Sequence, residues 1–123
     1  MKGLLLSLFS CFVFSGALLV SIPKFDPPKL STGGIVVVEF NAAFNKQNSV
    51  DWIEKLNDCT TDRVDIAASP QLQAKFKIVV VPTIIVFNEG EEVKRFQANI
   101  MMQIDANKSD VQEAVDEIIM SDF

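Results

Sequence analysis

Histidine and tyrosine are absent from the 123 residues, and tryptophan occurs once. Without histidine the chain lacks the commonest general base and the commonest metal ligand. Cysteine occurs twice, as Cys11 and Cys59, too far apart for a zinc-binding pattern. Lysine and arginine number 11 against 16 aspartates and glutamates, a net charge of −5. Nucleic-acid binding needs clustered cations facing phosphates, so that class of partner is excluded. Charge is missing altogether between Lys2 and Lys24. No residue pattern implies a metal or a cofactor.

The uncharged start has a function-bearing pattern of its own. One early cation, an apolar run and then small residues (Ser15 and Ala17, with Ser21 as a later site) match a cleaved secretory signal. The run from Gly3 to Ile22 is also long enough to span a bilayer, so an uncleaved anchor is the alternative. Leu8-Phe9-Ser10-Cys11 offers a third reading, a lipoprotein box. All three place the folded part outside the cytosol, whether secreted, periplasmic or in another extracytosolic lumen. A membrane contact is expected only where the segment stays uncleaved. Cleavage would remove Cys11 and with it any intramolecular disulfide. Cys59 is then either a buried apolar residue or an intermolecular partner.

The remaining length suits one domain, and 49% hydrophobic residues, among them ten phenylalanines, supply a core. Residues 1–22 are the signal or anchor, 23–34 a Pro- and Gly-rich linker, and 35–123 the domain. "IVVVEF" at 35–40 is a continuous apolar run, the mark of a strand buried on both faces. Ser49 can cap a helix running to about Cys59, with Val50, Ile53 and Leu56 on one face. "RVDIA" at 63–67 reads as a second strand. Ser69-Pro70 reads as an N-cap with proline at the first helical position, opening a short helix with Leu72 and Phe76 on one side. Pro82 interrupts "IVVVPTIIVF", so the third strand starts at about Thr83. "NEGEE" turns the chain around Gly90 into an antiparallel fourth strand. Ser109 and Gln112 form a capping-box pattern for a last helix striped by Val111, Ala114, Val115, Ile118 and Ile119. The order is β-α-β-α-β-β-α, an α/β fold in which the early crossovers are expected to be parallel and the late hairpin antiparallel.

With "VVEFNAAFNKQN" followed by "KFKIVVVPTIIVFNEGEE", this order resembles the thioredoxin family. There a strand ending in V-D-F-W-A leads into W-C-G-P-C at the start of a helix. A later Y-G-I-x-x-I-P-T precedes an apolar strand and a turn. The resemblance runs from about Ile35 to Ile119, and its most specific part is Phe76 through Pro82-Thr83. It implies a thioredoxin-like fold with a mixed central sheet flanked by helices. Phe44 falls on the motif tryptophan, Asn45 on the nucleophilic cysteine, Lys46 and Gln47 on Gly-Pro, and Asn48 on the resolving cysteine. Thiol–disulfide exchange needs a thiolate, and asparagine has none, so dithiol chemistry is excluded and no residue here is catalytic. Asparagine still suits an N-cap, so the helix start is expected to persist.

Three further residues carry expectations from the resemblance. Glu39 matches the acid buried beneath the cysteines, and Arg63 the lysine that approaches it. They are expected to meet, either as a retained proton relay or as a relic ion pair. Pro82 matches the family's cis-proline, beside which the preceding residue presents its backbone to an extended peptide. Phe44, Asn45, Val81 and Pro82 thus outline either a surviving groove for an unidentified protein or peptide, or a proline kept for its turn alone. The expected function is an exported, redox-inactive binding or structural module. The alternative is an atypical thiol protein using Cys59, whose acidic neighbours Asp58 and Asp62 would raise its pKa.

Overall fold

The computed structural model describes residues 33–122. The leader at 1–22 and most of the linker at 23–34 lie outside the described residues. A four-stranded mixed sheet carries the fold, in the spatial order β2-β1-β3-β4. Its strands are β1 (Ile35–Asn41), β2 (Thr60–Asp65), β3 (Thr83–Asn88) and β4 (Glu91–Gln97). β1 is interior, and its residues from Val36 to Asn41 are all buried, as its apolar run requires. A two-residue turn, Glu89 (φ 52°) and Gly90 (φ 84°), joins β3 to β4. Positive φ at both central positions is what a tight hairpin needs, which places glycine there.

The sheet separates two cores. On one face Val36, Val38, Phe40, Ile85 and Phe87 pack with Leu72 of the short helix α1 (Pro70–Lys75) and with Phe76. On the other, Val37, Ile84 and Val86 pack with Val111, Ala114, Val115 and Ile118 of α2 (Lys108–Ser121). Burying each large side chain contributes roughly 1.5–3 kcal/mol, so the alternation along β1 and β3 binds a helical layer to each face.

Four sequence expectations are corrected. The helix at 49–59 is absent. Two 3-10 turns, Ala43–Asn48 and Ile53–Lys55, carry the chain from β1 to β2 instead. The reason is spacing, since apolar residues three apart stay on one face of a 3-10 turn but drift around an α-helix. Val50, Ile53, Leu56 and Cys59 all belong to the second core at a spacing of three, the 3-10 period. The first crossover is still parallel, with Val36 opposite Thr60 through Asn41 opposite Asp65.

β3, by contrast, runs antiparallel to β1, with Phe40 opposite Thr83. A six-residue α1 spans only about 9 Å, too little to return the chain to the far end of the sheet. β2 begins at Thr60, three residues before the expected start. The last helix is capped two residues earlier than the Ser109 pattern suggests. Asn107 accepts from Asp110 N, and Asp110 accepts from Asn107 N. The carboxylate in this box also sits favourably at the positive end of the helix dipole.

This topology gathers four segments at one end of the sheet: the end of β1, the end of β2, the start of β3 and the loop leaving β4. Ile66 N donates to Asn41 O at 2.9 Å and Ala98 N to Pro82 O at 3.1 Å, closing that end.

Candidate functional site

Asn45 is the hub of this end of the sheet. It lies inside the first 3-10 turn at φ −114° and ψ 23°, outside helical values, and is 1% exposed. Its side chain caps no helix, contrary to expectation. The amide Nδ2 donates toward Asn41 Oδ1 (3.2 Å), Val81 O (3.3 Å) and Met102 O (3.1 Å). Two N–H groups thus serve three acceptors from three separate chain segments. Asn48 Nδ2 donates back to Asn45 Oδ1 at 2.7 Å. Asn41 Nδ2 completes the net on Asn45 O (3.2 Å) and Ser49 Oγ (2.9 Å). Buried polar groups of this kind stabilise only when satisfied, and here they are.

The Val81–Pro82 peptide bond is cis. Val81 is buried and lines a cleft of about 420 Å³ together with Phe44, which is 69% exposed. Ile66, Ile78 and Val79 add to the lining from around α1, and Asn99, Ile100 and Met102 from the loop after β4. Pro82 is buried and does not line the cleft, and Asn45 lies beneath it rather than on its wall. Lys46 and Gln47 are exposed. Lys46 borders a second cleft, of about 360 Å³, over Glu39, Arg63 and Asp65.

In that second cleft the heads of Glu39 and Arg63 meet across the β1–β2 register. Arg63 Nη1 donates to Glu39 Oε1. Val50 N donates to Glu39 Oε2 at 2.9 Å, and Arg63 Nη2 reaches Val50 O at 2.7 Å. Glu54 takes the other side of the guanidinium at 3.0 and 3.1 Å. Burial pushes the Glu39 carboxyl above the usual carboxylate range, against the pull of the Val50 N–H and of Arg63. The hydrogen bond that Arg63 donates to Glu54 is the main influence holding its guanidinium above its ordinary value.

Cys59 packs half-buried in the second core. Desolvation, then Asp58 and Asp116, push its thiol up to about 11, which leaves it protonated at neutral pH. Asp116 of α2, not Asp62, is the second acid acting on it.

Sequence reasoning does not reach Asn41, Ser49, Asn99, Ile100 or Met102. Three asparagines within eight residues, Asn41, Asn45 and Asn48, are the one local sign of the net. The partner loop lies 57 positions away from Asn45 and leaves no sign in its own sequence.

No family model matches the chain. It is 36% identical over 42 residues to thioredoxins of Mycobacterium bovis and Mycobacterium tuberculosis. That match spans 34% of this chain and only 36% of those relatives' length. Among solved structures, a mutant thioredoxin from Halobacterium salinarum superposes with a TM-score of 0.59 at 18% identity, covering 71% of this chain and 76% of that one. Plasmodium falciparum thioredoxin gives 0.56 at 18% identity, covering 74% and 88%. Likeness at these identities establishes architecture, and the mixed sheet with helices on both faces agrees with it: the chain has the thioredoxin-like fold.

Proposed function

We propose that this chain is an exported, redox-inactive thioredoxin-like module that holds a segment of another protein or peptide in the cleft between Phe44 and Val81. The observation that carries this reading is Asn45. The residue at the nucleophile's place is a buried amide committed to Asn41, Val81 and Met102, with no sulfur, no charge and no access to a substrate. Disulfide exchange needs an accessible thiolate, and nothing at this position supplies one. What remains usable is shape: a concave, mostly apolar cleft with a few polar groups, the usual form of a binding site. The leader pattern supports export, with an anchored form as the alternative arrangement. Chemistry at Cys59 is disfavoured by its raised pKa and its place in the core.

A disulfide-reduction assay tests the loss of redox function. Insulin reduction by the wild type is expected at the uncatalysed rate, unchanged in Cys59→Ser. Robust turnover that disappears with Cys59→Ser would overturn the reading.

A further inference from the structure

The structure relieves Ser109 of the capping role that its position in the sequence suggests. Asn107 and Asp110 cap α2 between them: Asn107 Oδ1 accepts from Asp110 N and Asp110 Oδ2 accepts from Asn107 N, both at 2.9 Å. The Ser109 side chain is exposed and makes no hydrogen bond among the described residues. Its spacing from Asn107 gives it another use. Asn107-Lys108-Ser109 is the acceptor pattern for N-linked glycosylation, asparagine followed two positions on by serine or threonine with no proline between. No other asparagine of the chain has serine or threonine at that spacing. A three-residue pattern also arises by chance, so local geometry has to carry the assignment.

That geometry fits the modification. Asn107 is exposed and extended, at φ −108° and ψ 179°. Its amide is divided in use. Oδ1 takes the capping bond, while Nδ2 makes no hydrogen bond among the described residues. The sugar is attached at Nδ2, and the carbonyl oxygen stays an acceptor in the product, so the cap survives. Asn41, Asn45 and Asn48 are the opposite case, each with its Nδ2 spent inside the fold. The surroundings also suit a saccharide. A groove of about 350 Å³ begins beside Asn107, lined by Lys108, Ser109, Gln112, Glu113 and Asp116. All five are hydrogen-bonding side chains, the partners that sugar hydroxyls need. None of residues 103–110 lines the apolar cleft, so a glycan here leaves that cleft open.

We propose that Asn107 is the acceptor of an N-linked oligosaccharide, delivered from a polyprenyl-pyrophosphate donor in the export compartment, and that the groove along the start of α2 seats its first sugars. In the transfer the bond between Nδ2 and the anomeric carbon forms. The bond from that carbon to the pyrophosphate oxygen breaks, and one Nδ2 proton leaves with the lipid pyrophosphate. The inference rests on the export part of the proposed function. It places a bulky, solubilising group on the segment that follows the exposed Ile100 and Met101.

The test translates the full chain, with its own leader, in the presence of endoplasmic-reticulum microsomes. Protease protection reads export, and a glycosidase-sensitive mobility shift reads the glycan. The wild type is expected to be protected and to carry one such shift, lost in Asn107→Gln and in Ser109→Ala and kept in Ser109→Thr. A protected chain without the shift would overturn the inference and leave export standing. An unprotected chain would overturn export and the inference together. A shift that persists in Ser109→Ala would place the sugar elsewhere and overturn the assignment. Melting of the protein secreted from cultured cells separates the sugar from the cap. The glycosylated wild type is expected to melt no lower than the bare Ser109→Ala chain, whereas Asn107→Gln, which loses the cap, melts about 4–8 °C lower. A glycosylated wild type that melts as low as Asn107→Gln would show that the sugar breaks the cap, and would overturn the geometry on which the inference stands.

Discussion

Two polar nodes sit near the end of β1, and they solve burial in opposite ways. The Asn45 node is neutral, and every donor in it points at a nearby oxygen. The Glu39 node is ionic: a 1% exposed carboxylate under a guanidinium that is itself 36% exposed. Both stand where the thioredoxin resemblance places working parts, the nucleophile and the acid beneath it. The nucleophile's position has become a cross-link between chain segments 57 residues apart. The acid's position holds a buried carboxyl paired with Arg63. The difference shows two ways of burying polarity at the end of one strand. An amide can replace a thiol and repay its burial with hydrogen bonds, while a buried carboxylate endures only as long as its partners do.

The largest effect is expected from Asn45→Asp, which makes the neutral node ionic with hardly any change of shape. The two N–H donors vanish, and a carboxylate faces Asn41 Oδ1, Val81 O and Met102 O. Leaving a buried charge uncompensated costs about 3–5 kcal/mol, a large share of a small domain's stability. Burial among acceptors raises the folded-state pKa of the new acid. Stability is therefore retained below the ordinary carboxylate range and lost as pH rises through the folded pKa. Urea unfolding at pH 4 and pH 8 measures this. A loss of equal size at both values would show that shape, not charge, makes the node.

Glu39→Gln makes the reverse exchange, and a smaller effect is expected. Glutamine has one acceptor oxygen, so it keeps either the Val50 N–H or Arg63 and turns its NH2 toward the other, while Arg63 keeps Glu54. Removing one partner of a fully buried pair costs about 3–5 kcal/mol, and the loss here falls below that because Arg63 is partly exposed and stays paired with Glu54. The pH dependence carries the information. The Glu39 carboxyl titrates above its ordinary range in the folded state, so the folded chain binds the proton more tightly than the unfolded chain. The wild type loses that contribution as pH rises through the folded pKa, and the variant does not. The stability difference should drift toward the variant with rising pH. Parallel wild-type and variant curves across that range would mean that Arg63 fully compensates the burial.

The two nodes also differ in how far the sequence reveals them. Glu39 and Arg63 lie on neighbouring strands in direct register, so the resemblance that aligns the strands also brings the pair together. Strand identity was legible because "IVVVEF" and "TIIVF" are continuous apolar runs, and the last helix because its stripe keeps a helical period. The first crossover was not, because Val50, Ile53 and Leu56 fit one face of an α-helix nearly as well as a 3-10 repeat. Cys59 separates the two, since an α-helix would turn it to the face opposite Val50 while the structure keeps both in one core. The Asn45 node was invisible for a different reason. Its acceptors are main-chain carbonyls of Val81 and Met102, and a carbonyl has no residue identity to read.

The smallest effect is expected from restoring the sulfurs. Asn45→Cys with Asn48→Cys rebuilds the two motif positions, yet insulin reduction should stay near the uncatalysed rate. The family's thiolate is stabilised at the start of a helix, where unpaired N–H groups and the dipole favour negative charge. Here position 45 lies inside a 3-10 turn, 1% exposed, with Val81 O and Met102 O as its neighbours. Carbonyl oxygens disfavour a thiolate, and burial pushes its pKa up, as it does at Cys59. Thiolate titration by absorbance at 240 nm should place the new cysteine above the ordinary thiol range of about 8.5. A depressed pKa with substantial turnover would show that the turn after β1 can still act as a helix start, and that the missing chemistry is a matter of two side chains rather than of the backbone that holds them.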